Sequence, residues 1–322
     1  MCGTWVMKAV YGDTYTEDHD LIHAHKACNP EESVQSVGEV RRAAAAAGPS
    51  RRRMFGLAGA LGAAVTGMGL LDAKPASASS PVAGAKKLFG AGRRIVDMSH
   101  AWGEDFPVFR PFVEPPKFTQ VASVEKEGYN TLIITMDEHS GTHMDGPKHF
   151  DNGQLATDEI PAESLIAPLV VVRITDRTEK DLDALLTYDD LRKWESRHGR
   201  IPDGAVVAMD CGWSSRINDP ERIFNRDADG KPHFPGIGWD AAEFLASSRN
   251  IVGVATDSPS LDSGANNYID PRAHKYLLPT GHYGIEWMAN VDQLPESGAM
   301  AVIGLMKHKG GFAGPVRMFG IY

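Results

Sequence analysis

Cysteine is scarce in this chain of 322 residues: Cys2, Cys28 and Cys211 are all it has. No two of them form a CxxC pair, which excludes a zinc ribbon and a thioredoxin-like redox pair. Positive charge is not in excess either. Lys and Arg number 33 against 42 Asp and Glu, a net charge of −9. That balance gives no overall electrostatic case for binding nucleic acid or an anionic membrane, and the acidity reads as solubility. A Gly-x-Ser-x-Gly elbow is missing, and Ser140 and Ser260 have no setting that makes either a nucleophile, so a serine hydrolase is a weak alternative. The Gly-rich stretches Gly310-Gly311 and Gly236–Gly238 do not match a phosphate-binding pattern. No internal repeat and no long linker interrupts the chain after Ala91.

The N-terminal 90 residues differ in kind from the rest. Arg51-Arg52-Arg53-Met54-Phe55 is followed by a Gly/Ala-rich apolar run, Gly56–Leu71, and then by Pro75-Ala76-Ser77-Ala78. A basic patch, a moderately apolar run and an Ala-x-Ala site make a secretory signal. Paired arginines close to a Phe resemble the twin-arginine export signal. Residues 50–78 are therefore expected to be an export signal cleaved after Ala78, with an exported mature chain. The competing reading is an anchor that stays attached; the run holds five glycines and is short for a span of about 20 residues. Residues 1–49, with the alanine run Ala43–Ala47, are a disordered leader or stand before the true start.

From residue 79 to 322 we expect one α/β domain. Strands are predicted at Arg94–Met98, Tyr129–Met136, Leu169–Ile174, Ala205–Met209, Ile251–Thr256, Ala299–Met306 and Val316–Tyr322. Helices are predicted at Tyr188–His198, capped by Thr187, and at Trp239–Ser248, with a short one at Pro271–Leu278. Cys211 ends an apolar run and is expected to be a small buried residue.

The chemistry is concentrated in His139-Ser-Gly-Thr-His143-Met-Asp145-Gly-Pro-Lys-His149, three histidines and an aspartate within eleven residues. Neutral imidazole with carboxylate suits zinc, manganese or iron. Gly141, Gly146 and Pro147 argue against a helix, so the segment reads as a strand running into a tight loop. In an extended stretch His143 and Asp145 point the same way. Gly141 lets the chain fold back to bring His139 to them, and Pro147 helps place His149 beside them.

This segment resembles the His-x-Gly-Thr-His-x-Asp-x-Pro-x-His signature of the metal-dependent cyclase family, which includes bacterial kynurenine formamidases and isatin hydrolases. Arg94-Ile-Val-Asp-Met-Ser-His100, Val206–Trp213, Phe234-Pro-Gly236, Gly253-Val-Ala-Thr-Asp257-Ser-Pro-Ser-Leu-Asp262 and Gly311-Phe-Ala-Gly314-Pro315-Val-Arg317 resemble further stretches in family order. The resemblance implies a compact α/β unit with a β-barrel-like mixed sheet core flanked by helices, and a homo-oligomer. It implies that His139, His143 and Asp145 ligate a Zn2+ or Mn2+ ion. It also implies that Asp145 bridges to a second ion held by His274 and Glu286, which stand twelve residues apart; His282 is a rival ligand, and a one-metal site is the other option. His149 corresponds to the proton-transferring residue. Phe109 sits where an aromatic residue faces the substrate ring, with core packing as its plainer role; the residue after it is Arg110 rather than proline. Asp257 is expected either to orient a liganding imidazole or to serve a turn or cap.

The activity implied is hydrolysis of an amide-type C–N bond in a small molecule, as by an arylformamidase or isatin hydrolase. Two other readings keep the same ligands: a cyclase or lyase on another small carbonyl compound, and a non-catalytic exported metal-binding protein.

Overall fold

A strand whose successive side chains enter two different apolar environments has to be covered on both faces. Ile166–Arg173 is such a strand: Leu169 and Val171 point into one core, Val170 and Val172 into another. The computed structural model describes residues 92–110, 112–267 and 269–322, so the leader at 1–49 and the export signal at 50–78 lie outside the described residues. In chain order the strands are β1 (Ile95–Asp97), β2 (Lys117–Ala122), β3 (Thr131–Thr135), β4 (His143–Asp145), β5 (Ile166–Arg173), β6 (Leu185–Leu186), β7 (Val206–Asp210), β8 (Gly236–Ile237), β9 (Gly253–Thr256), β10 (Tyr283–Glu286), β11 (Ala299–Leu305) and β12 (Ala313–Ile321).

Strand β12 closes the ring. One edge pairs with β11, while Ala313–Pro315 on the other edge pair with β4 and Phe319–Ile321 with β1. The order β12-β11-β5-β7-β9-β10-β4 therefore returns to β12. Strands β5, β7, β9 and β10 are parallel, and the remaining ring pairings are antiparallel. This is the mixed barrel-like core that the resemblance implied, and closure leaves the ring without an unpaired edge. Its interior is filled by Met98, Met144, Leu169, Val171, Ile285 and Met318. Outside, Val170, Val207 and Met209 are covered by helices α1 (Tyr188–His198), α2 (Trp239–Ser248) and α3 (Arg272–Leu277) through Trp194, Leu245 and Leu277. Each such side chain contributes about 1.5–3 kcal/mol by leaving water.

Helix α1 has the predicted bounds. Thr187 Oγ1 accepts from Asp190 N, and the Asp190 carboxylate accepts from Thr187 N at 2.9 Å, a reciprocal cap. Helix α2 also matches, and α3 runs on into a 3-10 turn, Leu278–Thr280. Cys211 is buried and unbridged.

The strand predicted at Tyr129–Met136 is present as β3, but it stands outside the barrel. Thr131–Thr135 pairs with β2 in a separate hairpin, and every residue of it is exposed; Leu132, Ile133 and Ile134 are each about half-accessible. A short apolar run does not reveal whether a barrel or a lone ribbon receives it. Among the described residues no helix is long and apolar enough to cross a membrane.

Candidate metal centre

His143 and Asp145 lie two apart on β4, so both side chains leave the same face while Met144 enters the barrel. Both are 1% accessible. The neighbouring strand β10 sets Glu286 directly opposite His143, and Glu286 Oε2 stands 3.4 Å from His143 Nε2. On the same strand Gly284 faces Asp145; a Cβ there would meet Leu261 Cδ1 at 2.4 Å, so any larger residue would require the Leu261 side chain to shift. Gly141, with φ +72, folds the chain back as expected and brings His139 Nδ1 to 2.8 Å from Asp145 Oδ1. From α3, His274 Nε2 reaches 3.2 Å from both Asp145 Oδ2 and Glu286 Oε1. The five residues expected as ligands are thus brought together around the two oxygens of Asp145. The rival His282 is turned away, its Nδ1 beside Thr280 Oγ1 at 3.0 Å.

Each imidazole is held by a further contact. His143 Nδ1 donates to Gly141 O at 3.0 Å, which leaves Nε2 to face the carboxylates. His274 Nδ1 lies 2.7 Å from Asp262 Oδ2, and the Asp262 carboxylate also accepts from Ala273 N and His274 N. The carboxylate that orients a histidine of the site is therefore Asp262 and not Asp257. Asp257 instead accepts from Cys211 N, Cys211 Sγ and Ser214 N, the turn role that was its other expectation. The physical reason is reach: Asp257 follows β9 directly and meets the turn after β7, whereas Asp262, five residues on, meets the first turn of α3.

The electrostatics are those of a site that demands a cation. Burial works against charge on His143, but Asp145 and Glu286 outweigh it and hold the imidazole up at about 10. The same contest, won by Asp145, Asp262 and Glu286, raises His274 well above the usual histidine range. Burial and Asp145 push the Glu286 carboxyl up, yet His143 and His274 bring it down to about 2. No well-formed hydrogen bond reaches the buried Asp145 Oδ1, although His139 Nδ1 and His143 Nε2 stand 2.8 and 3.3 Å away. Converging imidazole nitrogens and carboxylate oxygens with one oxygen left orphaned fit a divalent ion of the zinc, manganese or iron type. Among the described residues two donor groups have this compactness, His143-Asp145-Glu286 and His139-Asp145-His149, and Asp145 is common to both.

His149 ends a 3-10 turn, Pro147–His149, started by Gly146 and Pro147. Its ring lies 4.4 Å from that of His139 and 6.3 Å from that of His274. Burial, with the neighbouring His139 charge, lowers its pKa to about 3, so the imidazole is neutral. Phe109 is a buried core residue, in a cluster with Phe112, Phe224 and Phe234. From the same loop Phe106, buried in the same core, has its ring centroid 5.3 Å from that of Trp287, which follows Glu286 in the chain. Trp287 holds φ at +59, a left-handed conformation that costs a bulky residue about 1–2 kcal/mol. It is fixed there by Thr142 Oγ1, which donates to Trp287 O at 2.6 Å, and by Ser258 O, which accepts from Trp287 N at 3.1 Å.

A closed mixed barrel carrying a His/Asp/Glu centre on one sheet face defines the class. The family model described as "Putative cyclase" matches residues 96–263, and the chain belongs to this family. It is 31% identical to the isatin hydrolase of Roseibium aggregatum over 75% of this chain and 97% of the relative. To the kynurenine formamidase of Geobacillus thermodenitrificans it is 28% identical, over 52% of this chain and 69% of the relative. The solved isatin hydrolase A of Labrenzia aggregata, bound to benzyl benzoate, superposes with a TM-score of 0.68 at 35% identity, covering 74% of this chain and 96% of that one.

Proposed function

We propose that this chain is a metal-dependent hydrolase of an amide-type C–N bond in a small carbonyl compound. The observation that carries the reading is the sharing of Asp145: one oxygen faces His139 and His143, the other faces His274. His139, His143 and Asp145 would hold one Zn2+ or Mn2+ ion, and Asp145, His274 and Glu286 a second. Such an ion, when bound, supplies Lewis acidity that acidifies water and polarises a carbonyl. The chain's own part is proton handling and orientation. His149, beside the cluster, would take a proton from the attacking water and return it to the leaving nitrogen. An aryl substrate would meet the aromatic residues nearest the centre, Trp287 beside Glu286 in the chain and Phe106 packed on it, with Phe109 behind them through Phe224.

Similarity to isatin hydrolase and to kynurenine formamidase supports a cyclic amide or an aryl formamide as the substrate class. Export through the signal at 50–78 and self-association belong to the same reading. The half-exposed run Leu132-Ile133-Ile134 supports the second, because contiguous apolar surface marks interaction sites. The test is metal analysis of the purified protein together with turnover of isatin and N-formylkynurenine. Bound Zn2+ or Mn2+ with ring opening or formate release is expected. Metal without turnover on a wider amide panel would leave a non-catalytic binder, and no metal at all would remove the reading.

A further inference from the structure

His139 is the exposed member of the cluster: its side chain is 22% accessible, against 1% for His143 and Asp145. It also hangs from an insecure support. Strand β3 ends four residues earlier, and that hairpin is exposed at every position of β3. A two-stranded ribbon with so little burial opens easily. Locally, Asp137 shapes the turn, its Oδ1 accepting from His139 N at 3.0 Å and its carbonyl from Ser140 N. A turn of this kind sets direction but does not fix distance to the barrel.

The geometry points to Glu138 as a positioning residue that fixes His139 to the metal centre, with His308 as its partner. Glu138 Oε2 accepts from Phe312 N at 3.1 Å and Ala313 N at 3.2 Å, and Oε1 lies 2.5 Å from His308 Nε2. Ala313 is the first residue of β12 and pairs in register with Asp145. One residue earlier, Phe312 O accepts from Gly146 N at 2.8 Å. The contacts therefore close a triangle: Glu138 to Ala313, Ala313 to Asp145, and Asp145 to His139. Opening the first side leaves His139 to follow the hairpin.

The far side of the latch is itself fastened. Gly311 O accepts from Thr157 N at 2.9 Å, and Asp158 Oδ1 accepts from Gly310 N at 2.8 Å. Gly311 admits the His308 ring because it has no side chain; a Cβ would fall 2.2 Å from His308 Nε2 and 2.4 Å from Thr157 Oγ1. Glu138 and His308 are each about one-third accessible. Losing their pairing alone costs the fold little, so their geometry is the reason to expect an effect at the centre.

This inference rests on the metal reading of the site, and the test separates the two. Full-length wild type, Glu138→Ala, Glu138→Gln, His308→Ala and His143→Ala are stripped of metal. Mn2+ affinity is then measured by competition with a chromogenic chelator, and the melting temperature of each metal-free protein is recorded. Glu138→Ala is expected to weaken Mn2+ binding about 10–100-fold, the range for partners that orient ligands, with the metal-free melting temperature unchanged. Glu138→Gln, which keeps an acceptor for the Phe312 and Ala313 amides, recovers part of the loss, and His308→Ala weakens binding less than Glu138→Ala. Wild-type affinity in Glu138→Ala beside none in His143→Ala overturns the latch and spares the metal centre. A loss of affinity matched by a fall in metal-free melting temperature overturns it as well, by making Glu138 a scaffold residue. Wild-type affinity in His143→Ala overturns both.

Discussion

Asp262 Oδ2 stands 2.7 Å from His274 Nδ1, and this contact determines which nitrogen of that ring faces Asp145 and Glu286. The same carboxylate accepts from Ala273 N and His274 N, so it ties the ring to the first turn of α3. Asp262→Ala removes orientation and leaves two buried amides unpaired, at about 1–3 kcal/mol each. Asp262→Asn keeps an oxygen for the amides but loses the charge opposite the imidazole. We expect both variants to lose metal affinity about 10–100-fold, with only the alanine variant strongly destabilised. Isothermal titration and urea unfolding on the same samples check this; an alanine variant with wild-type affinity would remove Asp262 from the site.

Gly141 makes a second prediction. Its φ is +72, and a Cβ on it would lie 2.7 Å from Trp102 Cδ1 and 2.9 Å from Cγ. Gly141→Ala therefore meets both a left-handed backbone and the indole ring. The backbone part alone costs about 1–2 kcal/mol. Because the turn joins His139 to His143, the variant is expected to lose stability and metal together. Adding Trp102→Ala should relieve the clash and leave the backbone cost. A Gly141→Ala protein with an unshifted urea midpoint would show that the turn has room.

Much of this was legible in the residues, and the unread parts have a common cause. Helix α1 was readable because Thr187 and Asp190 form a local cap, and α2 because its apolar face recurs within its own ten residues. His143 and Asp145 were readable together because a strand's period of two is a local fact. Asp262 was not, since choosing it over Asp257 requires knowing that the loop after β9 turns towards α3. The packing of Phe109 on Phe224 and Phe234 was not legible either, because the loop 105–113 has no period to say which way each ring points. Nor was the place of β3 outside the barrel, because its apolar run pairs only within a hairpin. Each of these depends on a partner distant in sequence.

Away from the site, Glu195 and Arg249 form a two-point pair, with Arg249 Nε and Nη2 at 2.7 and 2.6 Å from the Glu195 oxygens and both side chains 7% accessible. It joins α1 to the residue that ends α2. Arg249 hydrogen bonding holds the Glu195 carboxyl below the usual carboxylate range. A folded pKa below the unfolded one means the stabilisation is fully present above about pH 4.3 and is lost as pH falls through the folded value. Glu195→Gln removes the charge opposite Arg249 but keeps an acceptor, a loss of about 1 kcal/mol or more near neutral pH. The gap between wild type and variant should therefore narrow in acid. Chemical unfolding across that range checks it, and a gap independent of pH would show that the pair contributes nothing through charge.

His149 separates two ways of using the same atoms. Its ring lies 4.4 Å from that of His139, and it is compact enough with His139 and Asp145 to count as a donor group. A proton carrier and a ligand at this position have different consequences. Replacing a proton carrier by Gln or Ala leaves the ion in place and lowers kcat by about 10²–10⁴, with KM nearly unchanged. Replacing a ligand lowers metal content first, and activity follows. We expect the first pattern, because Pro147 starts a separate turn that carries His149 past the strand on which His143 and Asp145 sit. The check is metal content and kcat measured on the same preparation of His149→Gln. Metal lost in proportion to activity would make His149 a ligand, and full activity would exclude it from the proton path altogether.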